Sequence, residues 1–325
     1  MNIIHLCTAA DKNYQLPLTA LVNSIYKNSA HTPCVIHVLF NELSDVYRNK
    51  LIKKYKKTNI SFDFIDMSKY EFDFHGLDMQ HWTRAIFYRI MIPEIFKDIE
   101  RILYIDGDTL VLNDLYEFFN MNMPDDKLMV MVVDRFSYKN RIPVLKTTNY
   151  FNSGMILFDI NKCRSFEFSK KCIQWIFDNS QIAKFPDQDA INVVCDGKIE
   201  RVNNIYNKQF ATNDTINMEN LPVIAHFLSA IKPWMPKSPI KYSHLYRTYI
   251  PSFLARTYVL IKQIVFNSKH FLYHEKYFMK LEKTKVKEQI KYYIFNICVW
   301  TKTIKNKPAD LISILKNNRN KLKCS

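Results

Sequence analysis

A chain of 325 residues, 48% hydrophobic and 14% aromatic, has the material for one large packed domain or for a domain with an extension, and is neither disordered nor fibrous. Its four glycines exclude a glycine-rich phosphate loop of the P-loop or dinucleotide type, so bound phosphate would have to be held by side chains or a metal. The formal charge of +15 is unevenly placed: residues 241–325 carry 18 Lys and Arg against 4 Asp and Glu, whereas residues 1–240 carry 28 against 27.

Apolar runs and their periods predict a strand over Ile3–Ala9, a helix over Leu16–Lys27, a strand over Cys34–Phe40, an amphipathic helix over Glu42–Lys57 and a strand over Ile60–Met67. A helix is expected over His81–Phe96, strands over Arg101–Ile105, Leu128–Val133 and Met155–Ile160, and helices over Phe166–Phe177 and Asp187–Val194. Strands alternating with helices imply right-handed βαβ units and a mainly parallel sheet. The proline-rich WMPKSP breaks the pattern near Pro236–Pro239, which places a domain over residues 1–240 and a basic, mainly helical extension over 241–325. Seven cysteines without a C-x-x-C pair indicate neither a zinc site nor a disulfide framework and fit a reducing compartment. With no signal-like start and no run of about 18 apolar residues, a cytoplasmic protein without a spanning helix is expected.

The segment RILYIDGDTLVLND interrupts a buried strand with Asp106-Gly107-Asp108. Carboxylates are too costly inside such a strand, so they belong at its end, where open α/β sheets bind ligands and where paired carboxylates can hold a divalent cation. The plain alternative is a polar turn, and a second Asp-x-Asp occurs at Asp187-Gln188-Asp189. Four more segments are polar in apolar settings: Asp11 and Asn13 after the first strand, Asn152 and Gly154 in YFNSGMILFDI, the FPDQDAIN helix start, and His226 in VIAHFLSAIKPW. Each has a structural reading too, as a helix cap, a bulge, a dipole-complementing acid and a hydrogen-bonded core histidine.

The ordered set TAADKNY, FYRIMIPEIF, RILYIDGDTLVLNDL, YFNSGMILFDINKCR, FPDQDAIN and HFLSAIKPW resembles glycosyltransferase family 8, retaining enzymes of GT-A architecture that include bacterial lipopolysaccharide glucosyl- and galactosyltransferases and the glycogenins. The resemblance covers about residues 1–235 and implies roles residue by residue. Asp11 and Asn13 match contacts to uracil and ribose, and Arg89 matches a donor-binding arginine. Asp106 and Asp108 match a metal-chelating pair with His226 as third ligand, and Lys232 matches a lysine on the diphosphate. Asn152, Asp187 and Gln188 match groups around the donor sugar, the last two as catalytic residues. Ser229 stands where bacterial members commonly have a glycine.

Two Asp oxygens, an imidazole and two diphosphate oxygens make a mixed set suited to Mn²⁺, with Mg²⁺ as the alternative. The expected activity is metal-dependent transfer of glucose or galactose from a UDP-hexose to a glycan or lipid-linked acceptor, with same-face attack because Gln188 is too weak a nucleophile for a covalent route. Competing readings are a self- or protein-glycosylating relative, a nucleotidyl or phosphoryl transferase, and a non-catalytic basic binding protein whose tail grips nucleic acid. The tail lacks a nucleic-acid motif, so no nucleic-acid partner is expected. In VKEQIKYYIFNICVW the spacing of Val286, Ile290, Tyr293, Ile297 and Trp300 instead suggests an amphipathic helix on the anionic inner face of the cell membrane.

Overall fold

The computed structural model describes residues 3–29, 31–70, 84–228, 231–235 and 243–250, and the backbone of 289–294 and 297–303. In chain order, β1 (Ile4–Ala10) leads to α1 (Gln15–Asn28), β2 (Cys34–Phe40) to α2 (Asp45–Tyr55), and β3 (Ile60–Asp66) follows. A 3₁₀ segment, Arg84–Met91, and the short α3 (Ile92–Ile95) precede β4 (Arg101–Ile105) and β5 (Thr109–Val111). Then come α4 (Tyr116–Phe119), β6 (Met129–Val133), α5 (Tyr138–Leu145), β7 (Phe151–Asp159), α6 (Ile160–Ser165), α7 (Phe168–Asp178) and α8 (Pro186–Val194). The remaining elements are β8 (Ile199–Arg201), β9 (Lys208–Phe210), β10 (Ile224–Phe227), α9 (Ser243–Thr248), β11 (Gln289–Ile294) and β12 (Ile297–Thr303).

The central sheet has the order β3-β2-β1-β4-β7-β6-β8, mainly parallel, with β7 antiparallel to both of its neighbours. Each face carries a core. On one, Leu6, Ile36, Leu103 and Ile105 pack with Leu21 and Ile25 of α1 and Leu51 of α2. On the other, Ile102, Tyr104, Ile156 and Phe158 pack with Phe168 and Cys172 of α7 and Ile191 of α8. Burial on both faces explains why Ile102–Ile105 shows no polar alternation. Each such side chain contributes roughly 1.5–3 kcal/mol when fully buried. A charge within the strand would forfeit that and add a desolvation cost, so Asp106 falls one residue beyond β4.

The reversed β7 has a functional consequence. Because Ile105 pairs with Met155, the first residues of β7, Asn152–Gly154, arrive at the C-terminal end of β4, and the Asp106 N–H donates to the Gly154 carbonyl at 2.8 Å. A second sheet, β5-β10-β9, brings in the far end of the chain. In it His226 pairs with Thr109, and the Phe227 N–H donates to the Asp108 carbonyl at 3.1 Å.

Two expectations are corrected. The predicted helix over His81–Phe96, whose first three residues lie outside the described ones, is a 3₁₀ segment followed by α3. Pro93 has no N–H for the Arg89 carbonyl and is accommodated instead in the first turn of α3, where no such donor is needed. The helical spacing across Val286–Trp300 gives way to an antiparallel pairing of β11 with β12, in which Tyr292 lies opposite Trp300. The β-branched and aromatic content of YYI and ICVWT favours strands, which outweighs an incidental i, i+3/i+4 pattern. The chain divides into one unit of residues 1–234 with 239–250 and another of 235–238 with 251–325, so α9 falls with the first unit. The reason is local: Tyr246 is buried against Phe227 and Trp234, and Asn23 donates to the Tyr249 carbonyl at 2.7 Å. Pro236–Pro239 and the rest of 251–288 and 304–325 lie outside the described residues.

Candidate active site

At the end of β4 the turn Asp106-Gly107-Asp108 is closed by Thr109, whose hydroxyl donates to the Asp106 carbonyl at 2.8 Å. The Asp106 carboxylate accepts from the Tyr104 hydroxyl at 2.7 Å, which fixes its direction. Asp108 is buried, with His226 Nε2 3.2 Å from Oδ1 and Lys232 Nζ 2.7 Å from Oδ2. His226 Nε2 also lies 3.8 Å from Asp106 Oδ2. One ligand atom from each of Asp106, Asp108 and His226 thus falls within 4.8 Å of the others, a donor set of two carboxylate oxygens and one imidazole nitrogen that fits a Mn²⁺ or Mg²⁺ ion. Burial alone would raise the Asp108 carboxyl, but Lys232 and then His226 outweigh it and hold it well below the ordinary carboxylate range.

Arg89, at the end of the 3₁₀ segment, ties this turn to α8. Its guanidinium lies 2.9 Å from Asp106 Oδ1 and 3.1 Å from Asp187 Oδ2, and donates to the Ser153 carbonyl at 2.7 Å. Burial opposes its charge, but Asp106, Tyr104 and Asp187 together outweigh it, and Arg89 stays a cation. Asp187 fares differently. Burial pushes its carboxyl above the ordinary value because Arg89, shared with Asp106, only partly offsets it.

Beyond Asp187 a buried amide cluster forms. Gln188 Oε1 accepts from the Ser153 N–H at 2.9 Å and from Asn152 Nδ2 at 3.2 Å, while Gln188 Nε2 donates to Asp134 Oδ2 at 3.1 Å. A backbone N–H can only donate, so the orientation of the Gln188 amide is fixed by its surroundings. Asp134 is itself held by the Phe136 and Ser137 N–H groups on Oδ1.

The two Asp-x-Asp motifs therefore do different work. In the second, Asp187 turns toward Arg89, whereas Asp189 is fully buried and structural: it accepts from Arg141, from the Tyr150 hydroxyl at 2.5 Å and from the Lys184 and Phe185 N–H groups ahead of α8. Asp11 accepts from the Asn13 and Tyr14 N–H groups at 2.7 and 3.1 Å, the turn that starts α1, and still lines the cavity. Asn13 is exposed at that turn and does not line it. Lys232 also donates to the Phe227 carbonyl at 2.8 Å, and Ser229 lies outside the described residues.

These groups border one cavity of about 570 Å³ that takes in Asp11, Arg89, Asp106, Asp108, Gln188 and Lys232. Its size is that of a small-ligand site. Sequence reading missed Asp134, Ser153, Tyr104 and Asn207. Asp134 had a signal, since it ends the aliphatic run Met129–Val133 just as Asp106 ends β4. Asn207 had none.

A mainly parallel sheet with a carboxylate pair and a histidine gathered at its strand ends is the architecture of a GT-A glycosyltransferase. The chain belongs to glycosyl transferase family 8, whose model matches residues 5–237. It is 27% identical over 270 residues to General stress protein A of Bacillus subtilis, covering 76% of this chain and 93% of that one. It is 25% identical over 242 residues to the lipopolysaccharide 1,3-galactosyltransferase of Salmonella typhimurium, covering 69% and 71%. Among solved structures, the galactosyltransferase LgtC in complex with donor and acceptor sugar analogs superposes with a TM-score of 0.66 at 19% identity, over 77% of this chain and 99% of that one.

Proposed function

We propose that the protein transfers glucose or galactose from a UDP-hexose to a glycan or glycolipid acceptor with retention of configuration, aided by Mn²⁺ or Mg²⁺. The observation that carries this reading is the charge of the cavity. Among the described residues its lining holds five carboxylates (Asp11, Asp106, Asp108, Asp134 and Asp187) against two permanent cations, Arg89 and Lys232. A nucleotide diphosphate is repelled by that balance unless a divalent cation between Asp106, Asp108 and His226 reverses it locally. The relatives that act on lipopolysaccharide support a surface-glycan acceptor.

When bound, the cation supplies charge neutralisation to the departing diphosphate. Lys232, 2.7 Å from Asp108, is placed to share that charge. Arg89 holds Asp106 and Asp187 in position without facing the diphosphate alone. The Gln188 amide is too weak a nucleophile to capture the sugar covalently, so a covalent route is disfavoured. The leaving phosphate then accepts the acceptor's proton as the acceptor attacks from the same face. Purified protein should hydrolyse UDP-glucose or UDP-galactose only with added Mn²⁺ or Mg²⁺, and transfer should give the donor's anomeric configuration by NMR. Gln188→Ala should lower kcat roughly a hundredfold with little change in KM, since a group facing the reacting carbon acts mainly in the transition state. Salt-sensitive oligonucleotide binding without donor turnover would reject the proposal.

The basic segment 241–325 recruits the enzyme to an anionic membrane face. Its net +14 supports this, since each Lys or Arg near such a surface contributes about 1 kcal/mol. Among the described residues no helix is long and apolar enough to cross a membrane. The full chain should sediment with vesicles of anionic lipid at low salt and be released near 1 M, where the Debye length is about 3 Å. A chain ending at Ile250, which keeps α9, should stay in solution yet still hydrolyse donor. Equal sedimentation on neutral lipid would remove the recruitment role.

A further inference from the structure

The metal-facing nitrogen of His226 is selected by residues that touch neither the cavity's carboxylate pair nor its lysine. His226 Nδ1 lies 3.0 Å from Asn207 Oδ1, and Asn207 Nδ2 lies 2.9 Å from Asn152 Oδ1. Asn152 Oδ1 also faces the Gly154 N–H at 3.1 Å, and Asn152 Nδ2 faces Asp134 Oδ2 at 3.2 Å. All four side chains in this relay are buried.

The relay has one consistent direction. The Gly154 N–H can only donate, so the Asn152 atom beside it is the carbonyl oxygen, and the carboxylate of Asp134 on the other side demands the NH₂. Two constraints thus set Asn152. The Asn207 atom facing Asn152 Oδ1 must then be its NH₂, which leaves Asn207 Oδ1 for the histidine. A carbonyl oxygen accepts, so His226 Nδ1 carries a proton, and Nε2, 3.2 Å from Asp108 Oδ1 and 3.8 Å from Asp106 Oδ2, is the nitrogen left to exchange its own proton for the cation. Reversing any member would oppose two acceptors or two donors in a buried place, at about 1–3 kcal/mol for each bond lost.

We propose that Asn207 is a positioning residue that fixes His226 in the Nδ1–H tautomer and so presents Nε2 to the cation. Its place follows from the backbone. Asn207 ends a short 3₁₀ turn capped by the Asn203 side chain, immediately before β9, and β9 runs parallel to β10 with Lys208 opposite Ala225 and Gln209 opposite His226. The same relay joins the metal side of the cavity to the amide cluster of Gln188 through their common partner Asp134.

This inference rests on the metal reading given above, but its first readout does not need a metal. Protein labelled with ¹⁵N-histidine and free of metal should show His226, identified by comparison with His226→Gln, protonated at Nδ1. Asn207→Leu should lose this Nδ1 proton and weaken Mn²⁺ binding, followed by electron paramagnetic resonance, by roughly 10–100-fold. Asn207→Asp, which keeps an acceptor oxygen toward Nδ1, should restore the tautomer and part of the affinity. A wild-type His226 bare at Nδ1 overturns the proposal whether or not the variants fold. So does a folded Asn207→Leu with unchanged tautomer and affinity. Wild-type protein that binds no Mn²⁺ while carrying the Nδ1 proton would instead overturn the metal reading.

Discussion

Asp108→Asn should reduce turnover of a UDP-hexose about a thousandfold while leaving the fold intact, and Asp106→Asn should do nearly the same. Loss of a charged ligand from a hard-cation site removes several kcal/mol of leaving-group stabilisation, and about 4 kcal/mol corresponds to that factor. Sequence reading placed both carboxylates at a strand end, and Asp108 there is buried and paired with Lys232 and His226. The amide is nearly isosteric, and Lys232 keeps the Phe227 carbonyl, so the loss should fall on chemistry more than on packing. The variant nevertheless has a stability signature. A carboxylate held below its unfolded value of about 3.9 stabilises the fold above that pH and ceases to do so as pH falls through its folded value. Asp108 is such a group, so the melting temperature of Asp108→Asn should trail wild type most at neutral pH, and the gap should close below about pH 4. Wild-type turnover in either variant at saturating Mn²⁺ would reject the metal assignment.

How far the sequence carried this picture depends on what each feature needs in order to form. The strands β1, β2, β4 and β6 were legible because burial on both faces demands continuous apolar runs, and the edge strand β3 because Ile60, Phe62 and Phe64 alternate with Ser61 and Asp63. Asp106 and Asp108 were legible for the complementary reason, that charge cannot continue such a run. The strands of the second sheet were not. β5 and β9 have three residues each and β10 four, too few to display a period, yet this sheet is what carries His226 to Asp108. Nor could composition or spacing separate Asp187 from Asp189, which only the family resemblance told apart. They are two residues apart at one helix start, and their roles divide only because Arg89 stands on one side of α8 and Arg141 on the other. Asn207 left no trace, since an asparagine in a turn is ordinary and its work depends on partners distant in the chain.

Gly154 shows a constraint of another kind, and replacing it by alanine should be nearly as damaging as removing an aspartate. Nothing in its backbone conformation demands glycine, since among the described residues the only glycine with positive φ is Gly197. The constraint is contact. A Cβ at Gly154 would lie 2.1 Å from His226 Cε1, 2.7 Å from His226 Nδ1 and 2.8 Å from Asp106 Oδ2. His226 cannot move aside freely, because β10 is paired on both edges and the ring is held through Nδ1 by Asn207. Overpacking of this kind costs about 1–3 kcal/mol and shifts the groups around it. Here those groups are two of the three proposed metal ligands. Gly154→Ala should therefore melt several degrees lower, bind Mn²⁺ far more weakly and lose most of its turnover. A double variant isolates the cause. In a His226→Ala background the obstructing ring is gone, so adding Gly154→Ala should cost much less stability than in wild type, while activity stays lost in both. Native melting temperature and native Mn²⁺ affinity in Gly154→Ala would show that the site is looser than this contact geometry requires.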